Sequence, residues 1–218
     1  MAATNPSIFD TPAYSAVQAS HYVGVPIQTL LGWIAKGLIS VPSSGAITFN
    51  NLAEAHVLKA MRRVHGLSLQ AIRKALEELA HVRKNSHPLL DESFETDGVD
   101  LCIRDQDAVI NLSKRSQREF REFVSLYMHR IQRDDKGRVA SLYPFIVADQ
   151  ANEPKHISIS PAVSFGKPVL AGTGISTSVI VGRFKARDSV ADLAQEYEVD
   201  PAVLEDAIRW EMNRGRAA

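Results

Sequence analysis

The sequence predicts a mainly α-helical chain with short β-hairpins, arranged as three successive units. Three observations carry this. Capped, Gly- and Pro-punctuated helical patterns fill the first 85 residues. A polar, Pro-marked stretch then separates them from a middle region with one apolar helical stripe. A turn-rich segment followed by three short helical patterns closes the chain.

In the first unit, residues 1–84, Ser15 and Gln18 have capping-box spacing and open a helix carrying Val17, Ala19 and Val23. Gly24-Val25 predicts a tight turn, and Pro26 starts a second helix with Ile27, Leu30, Leu31 and Ile34 that ends at Gly37. Two short helices across a Gly-containing turn are the pattern of a helix-turn-helix. Leu38–Val41 and Ile47–Phe49, around Pro42-Ser-Ser-Gly45, predict a small hairpin or wing. Asn51 is expected to cap a third helix with Val57, Leu58, Met61 and Val64, and Ser68 a fourth with Leu69, Ile72, Leu76 and Leu79.

Residues 85–97 read as a linker. In 98–152, Val99–Arg104 and Ala108–Leu112 flank Asp105-Gln-Asp107 and predict a β-hairpin. Ser116 and Glu119 open a helix with Phe120, Phe123, Val124, Tyr127 and Ile131 along one stripe. In 153–218, His156–Ser160 alternates like a strand. Glycines 166, 172 and 174 serve turns, and three helices follow: Ser176–Ala186, one capped by Ser189, and one started by Asp200-Pro201. This last unit is trihelical and again compatible with a helix-turn-helix.

The 218 residues are 45% hydrophobic and 23% charged, with 25 Lys and Arg balancing 25 Asp and Glu. A chain of that size holds a core without disulfides or a metal. Its single cysteine, Cys102, excludes a disulfide framework and a cysteine zinc site, and reads as a small buried residue. No apolar run of about 18 residues occurs, and the start lacks a signal-peptide pattern. A soluble, cytoplasmic protein is expected. Zero net charge argues against a broad nucleic-acid coat, but residues 1–85 hold eight Lys and Arg against four acids. DNA contact, if any, therefore belongs to the first unit.

On the second helix Gln28, Thr29, Gly32 and Lys36 are the positions available to a major groove, where Gln reads adenine and Thr meets thymine or phosphate. Arg62 and Arg63, beside Lys59, are candidate phosphate contacts. The competing reading is a helix-turn-helix retired from DNA and used for dimerisation or protein contact. Acids on the last helix (Glu205, Asp206, Glu211) disfavour DNA there. That helix, with Phe184, is a candidate to present Phe184, Trp210 and Met212 to a partner, against a core role for Phe184. The Phe120 stripe reads first as core and second as a partner helix face. Enzyme readings find no support: Gly166-Lys167 precedes Pro168 and is no P-loop. Neither His-Glu-x-x-His nor Gly-x-Ser-x-Gly occurs. No catalytic residue, cofactor or metal is assigned.

Residues 14–80 resemble MerR-like winged helix-turn-helix regulators through Ser15–Ser20, Val25–Trp33, Gly37-Leu-Ile39, Phe49–Leu52 and Gly66–Arg73. Residues 156–212 resemble an antitoxin-associated domain of unknown function through Ile159-Ser-Pro161, Phe165-Gly-Lys-Pro-Val169 and Gly172-Thr-Gly-Ile175. The combination resembles VapB-type antitoxins. It implies a VapC-type toxin, a PIN-domain ribonuclease, as partner, with operator DNA as second target and a homodimer as the binding form. The chain departs from these families at Leu31, usually Arg, at Gly32, usually aromatic, and at Gly174, commonly Arg. Because a PIN site gathers acids around a metal, the resemblance gives a role to Arg115, Arg118 and Arg121, with Arg130 and Arg133: a guanidinium that pairs with those carboxylates. Their plainer reading is a solvated helix face. The alternatives are a stand-alone MerR-like regulator with a ligand- or partner-sensing distal domain, and a dimeric scaffold without DNA binding.

Overall fold

A computed structural model describes residues 7–61, 69–110, 114–147 and 151–214. Helix α1 (Ala16–Val23) is opened by the expected reciprocal Ser15–Gln18 box, and Gly24 ends it in the left-handed region at φ 71°. Helix α2 (Ile27–Ala35) follows, with Pro26 as its N-cap and Gly37 at φ 70° beyond its end. Helix α3 (Phe49–Met61) is buried on nearly every side. Its cap is Thr48, not Asn51: Asn51 N–H donates to Thr48 Oγ1 at 3.1 Å and Thr48 N–H to Asn51 Oδ1 at 3.2 Å. Asn51 thus supplies the third-position half of a capping box. Helix α4 (Leu69–Arg83) buries Ile72, Ala75, Leu76 and Leu79. The expected cap Ser68 lies outside the described residues, as does Val64.

The predicted wing is not a hairpin. Gly45 makes the turn at φ 74°, but Ile47 pairs with Tyr14 through N–H to O contacts of 2.8 and 3.0 Å, and Phe49 already belongs to α3. Tyr14 offers Ile47 the ladder partner that Leu38–Val41 was expected to supply, while Leu38 and Ile39 turn into the core.

Residues 85–97, expected as a linker, form two 3-10 turns and bury Leu89, Leu90 and Phe94. The hairpin expected over 99–112 is instead helix α5 (Asp97–Ile110). Val99, Cys102 and Ile103 are buried at i, i+3 and i+4, the helical spacing, and Asp97 and Asp100 sit in a first turn that favours acids. Leu112 lies outside the described residues. Helix α6 (Lys114–Met128) packs Phe120, Val124 and Tyr127 inward, so the stripe is core of its own chain. Ser116 and Glu119 lie inside this helix.

The middle hairpin comes after the helix. Strands β1 (Ile131–Arg133) and β2 (Val139–Leu142) pair antiparallel around a turn with Gly137 at φ 73°. Strands β3 (Ile157–Ser158) and β4 (Val169–Leu170) form a second antiparallel pair, and Leu142 bridges to Ile159 between the two. One continuous core runs from Phe9 to Ile159. Helices α7 (Thr177–Lys185), α8 (Val190–Tyr197) and α9 (Pro201–Arg214) bury Ile180, Leu193, Leu204 and Ile208 around a second core. Ser189 caps α8 as expected. Among the described residues no helix is long and apolar enough to cross a membrane.

Two buried charged groups tie distant segments together. Glu54, 2% exposed on α3, accepts from Asn51 Nδ2 at 3.2 Å and faces His87 Nδ1 at 3.1 Å. The other His87 nitrogen lies 3.1 Å from Asp10. Burial raises the Glu54 carboxyl pKa. Burial opposes charge on His87, but Glu54 and Asp10 outweigh it and the net shift is upward. Arg130, 3% exposed, donates to four carbonyls: Tyr143 at 2.8 Å, Pro144 at 3.2 Å, Glu153 at 2.7 Å and Pro154 at 3.1 Å. Its guanidinium also lies 4.6 Å from the Phe145 ring centre.

Both raised groups hold protons in the fold that the unfolded chain releases, so they make stability fall as pH rises. The His87 share is complete below its unfolded value near ~6.5 and is lost as pH climbs through its raised folded value. Thermal midpoints of wild type and His87→Gln are therefore expected to lie furthest apart near about pH 6 and to converge toward about pH 9. Parallel curves would remove the ion pair from the stability account. Arg130→Leu is expected to cost about 3 kcal/mol by urea unfolding, since four carbonyls lose the donor that a buried guanidinium supplied. Arg130→Lys should recover little, because one ammonium cannot span two chain segments.

Candidate DNA- and partner-binding surfaces

The helix-turn-helix geometry arises locally. Gly24 N–H donates to Ser20 O at 2.9 Å and His21 O at 3.2 Å, closing α1 before α2 turns away. Leu30 and Trp33 of α2 face the core. The opposite face therefore carries Gln28 and Lys36, both exposed, with Thr29 and Gly32 half-buried. Nothing lies within 4 Å of a Cβ built on Gly32, so the open space in front of it is real. These four positions lie on one helix and surround an outer face that also holds exposed Leu31 and Ala35. Arg62 and Arg63 lie outside the described residues. Lys59 is drawn toward the protein, with its ammonium 5.9 Å from the Tyr127 ring centre.

The basic candidates of the middle unit separate into two groups. Arg115 and Arg118 are exposed on the outer face of α6, with Arg115 paired to Glu119 at 2.9 Å. Arg121 is ion-paired with Asp100 of α5 while remaining half exposed. It borders a cleft of about 760 Å³ with Glu122, His129 and Lys155. Arg130 and Arg133 hold the fold instead: Arg133 donates to Leu90 O at 2.6 Å and Gly137 O at 2.9 Å. Neither is available to a partner's carboxylates.

The apolar candidates exchange roles. Phe184, read first as core, is 37% exposed on α7. Trp210, read as a candidate contact, is fully buried. It stacks on Tyr22 of α1 at 6.1 Å and meets His21 edge-on at 5.7 Å. Next to it Glu211 accepts from the Thr177 hydroxyl at 2.6 Å and lies 3.4 Å from His21 Nε2. The last helix thus grips the first. Met212 is half exposed. Phe184 follows buried Val181 at i+3 and so extends the apolar pattern of α7, which hides its exposure. The Trp210 contact joins positions nearly the whole chain apart, which periodicity cannot report.

Sequence reasoning also passed over the Asp10–His87–Glu54 group and the hydrogen bond from buried Tyr14 Oη to Gly166 O, 3.1 Å. Burial pushes the Tyr14 phenol well above its usual range. The Gly-rich segment was legible as a turn, whereas the approach of Tyr14 to residue 166 was not.

Comparison with known proteins agrees with both resemblances. Residues 14–79 match the model of the MerR HTH family regulatory protein, and residues 157–210 match a protein family of unknown function, DUF433. The chain is 28% identical over 232 aligned positions to a Mycobacterium tuberculosis protein named "Putative antitoxin VapB45", covering 92% of this chain and 94% of that one. A crystal structure of Rv2018 from Mycobacterium tuberculosis superimposes with a TM-score of 0.72 at 26% identity, covering 92% of this chain and 99% of that chain. The chain is thus similar along almost its whole length to a protein named "Putative antitoxin VapB45", with matches to a MerR-type helix-turn-helix and to DUF433 toward its two ends.

Trp210→Ala is expected to destabilise the chain by ~3–5 kcal/mol, as a fully buried large aromatic does. Phe184→Ala should cost less, about 1–2 kcal/mol, because 37% of the residue is still in water. Urea unfolding of the two variants checks the exchange of roles.

Proposed function

We propose that this chain is a non-enzymatic, cytoplasmic antitoxin of a type II toxin–antitoxin pair that binds and inhibits a VapC-type PIN-domain ribonuclease. In this reading it also represses its own operon through the N-terminal helix-turn-helix, acting on operator DNA as a homodimer. What supports the reading is the similarity, over 92% of the chain, to the protein named "Putative antitoxin VapB45", across both end segments and the middle that joins them. The exposed face of α2, with Gln28, Thr29, Gly32 and Lys36, takes the DNA role with Arg62 and Arg63, and residues 1–84 form the DNA unit. Arg115, Arg118 and Arg121 on α6, with Phe184 on α7, take the toxin role. Trp210 is left out of that set because it is buried.

Charge supports the assignment of the toxin surface. A PIN nuclease site needs acids to hold its metal, and exposed guanidinium groups at 115 and 118 are the bidentate donors suited to them. A scaffold that no longer binds DNA is favoured by one feature: Gly37–Asn50, the loop beside α2, contains no Lys or Arg.

Co-expression with a PIN-domain toxin from the same operon tests the reading by growth rescue and by co-purification on one tag. Wild type is expected to rescue growth and retain the toxin. Arg115→Glu with Arg118→Glu should lose rescue while leaving the thermal midpoint unchanged. Gel-shift titration on the operon's promoter is expected to show sequence-selective binding, with a salt slope smaller by about one in Lys36→Ala. A harmless neighbour that never co-purifies ends the antitoxin reading, and loss of selectivity over random DNA ends the repressor reading.

A further inference from the structure

Phe165 is the most exposed large apolar side chain among the described residues, at 94%. Its backbone lies in the left-handed region at φ 56°, between Ser164 at 46° and Gly166 at 77°. For a bulky residue that conformation is an outlier, and it persists only where the surroundings enforce it. Here they do. The buried Tyr14 hydroxyl donates to Gly166 O at 3.1 Å, and Ser164 Oγ donates to Gly174 O at 3.1 Å. A Cβ on residue 166 would come within 2.2 Å of the Tyr14 oxygen, so only glycine permits the closure. The chain fixes a strained turn from both sides, and within one copy the ring at its tip gains no burial.

Beside the ring is a small apolar pocket of about 220 Å³, walled by Ile8, Thr11, Ala13 and Pro161 over Tyr14 and Phe49. Phe165 borders this pocket without filling it. Exposed Lys167 follows the ring by two residues, and Asp10, whose side chain is 46% exposed while also accepting from Asn50 and meeting His87, precedes Thr11 of the pocket wall. Projection and pocket therefore lie side by side, with a cation close in the chain to one and an anion next in the chain to the other. Such a patch is complementary to itself across a two-fold axis.

We infer that this patch is the contact between two copies of the chain, with Phe165 of each copy seated in the apolar pocket of the other and Lys167 facing the Asp10 edge. The inference rests on the homodimer in the proposed function and assigns its surface. It explains why an exposed phenylalanine stands on an enforced left-handed turn: the turn holds the ring in its bound geometry before association, which lowers the ordering cost of docking. The aromatic at the centre, ringed by smaller contacts, has the composition of an interface anchor.

The test is sedimentation equilibrium on the full chain. Wild type is expected to dimerise. Phe165→Asn keeps a residue that tolerates the left-handed backbone but removes the ring, and should weaken the dimer at least about tenfold. Phe165→Asp should do so more strongly, and Lys167→Glu should weaken it more at low salt than at high salt. All three should keep the wild-type circular dichroism spectrum, since both side chains are exposed, and should share the wild-type thermal midpoint at dilutions where every form is monomeric. A wild-type dimer that survives Phe165→Asp overturns this surface and leaves the dimer itself standing. A monomeric wild type overturns both. A monomer whose Phe165→Asp variant fails to retain the toxin assigns the patch to the toxin and likewise overturns the inference.

Discussion

A carboxylate at the centre of a helix buried on every side is the constraint around which the rest is arranged. Glu54 sits among Ala53, Ala55 and Leu58 on α3, far from solvent. A charge there is tolerated only with close partners. Asn51 supplies one from the same helix, and His87 supplies the other from the segment after α4. That requirement explains why residues 85–97 cannot be a spacer: His87 must dock on α3, and Leu89, Leu90 and Phe94 follow it into the core. Asn51 also donates to Ser40 O at 2.9 Å, which pins the loop leaving α2 to the same helix. The helix-turn-helix, its loop and the middle helices are therefore organised around α3, and the small residues at 53, 55 and 60 let neighbours approach it closely.

A second set of contacts joins the ends of the chain. Tyr22 and His21 of α1 hold Trp210, Glu211 ties α9 to both His21 and the start of α7 at Thr177, and Tyr14 holds the Gly166 turn. The helix that supports α2 is thus the helix that α9 packs on. Any partner seated on α7 would act on a unit whose far side is fixed to the helix-turn-helix pair. Arg130 does the comparable task in the middle, holding the carbonyls on either side of 145–152 so that β3 can follow β2 across the Leu142–Ile159 bridge.

Local chemistry was legible in the sequence wherever the answer was local. Ser15–Gln18, Gly24, Gly37 and Ser189 sit where caps and turns were expected, because each satisfies backbone groups within four residues of itself. The α6 stripe was legible for the same reason as far as Tyr127, whereas Ile131, expected on the same helix, begins β1. The middle failed where two periods compete: Leu101, Cys102 and Ile103 alternate with nothing polar between them, and the helical spacing of Val99, Cys102 and Ile103 prevailed once α4 and α6 were there to cover it. The wing failed because Ile47 found its partner at Tyr14, a pairing set by where α1 begins. Of the candidate positions, the exposure of Gln28 and Lys36 was legible from helical spacing, whereas the fates of Trp210 and Arg130 depended on residues far away in the chain. A tryptophan near a C-terminus and an arginine after an amphipathic helix carry no mark of burial.

The composition of the reading surface bears on how such a chain would hold DNA. On α2 a single lysine, Lys36, stands with Gln28 beside an apolar stretch of Leu31, Gly32 and Ala35. The adjoining loop contributes no cation. Since each phosphate neutralised adds about 0.9 to the salt slope and a proportionate share of affinity, one copy offers little electrostatic hold. Two copies on a palindrome double both the phosphate contacts and the base contacts of Gln28, while the translational cost of binding is met once. In the proposed dimer, a weakly basic α2 and a self-complementary surface elsewhere on the chain would be parts of one solution: low affinity for random DNA as a monomer, and selectivity gained by pairing.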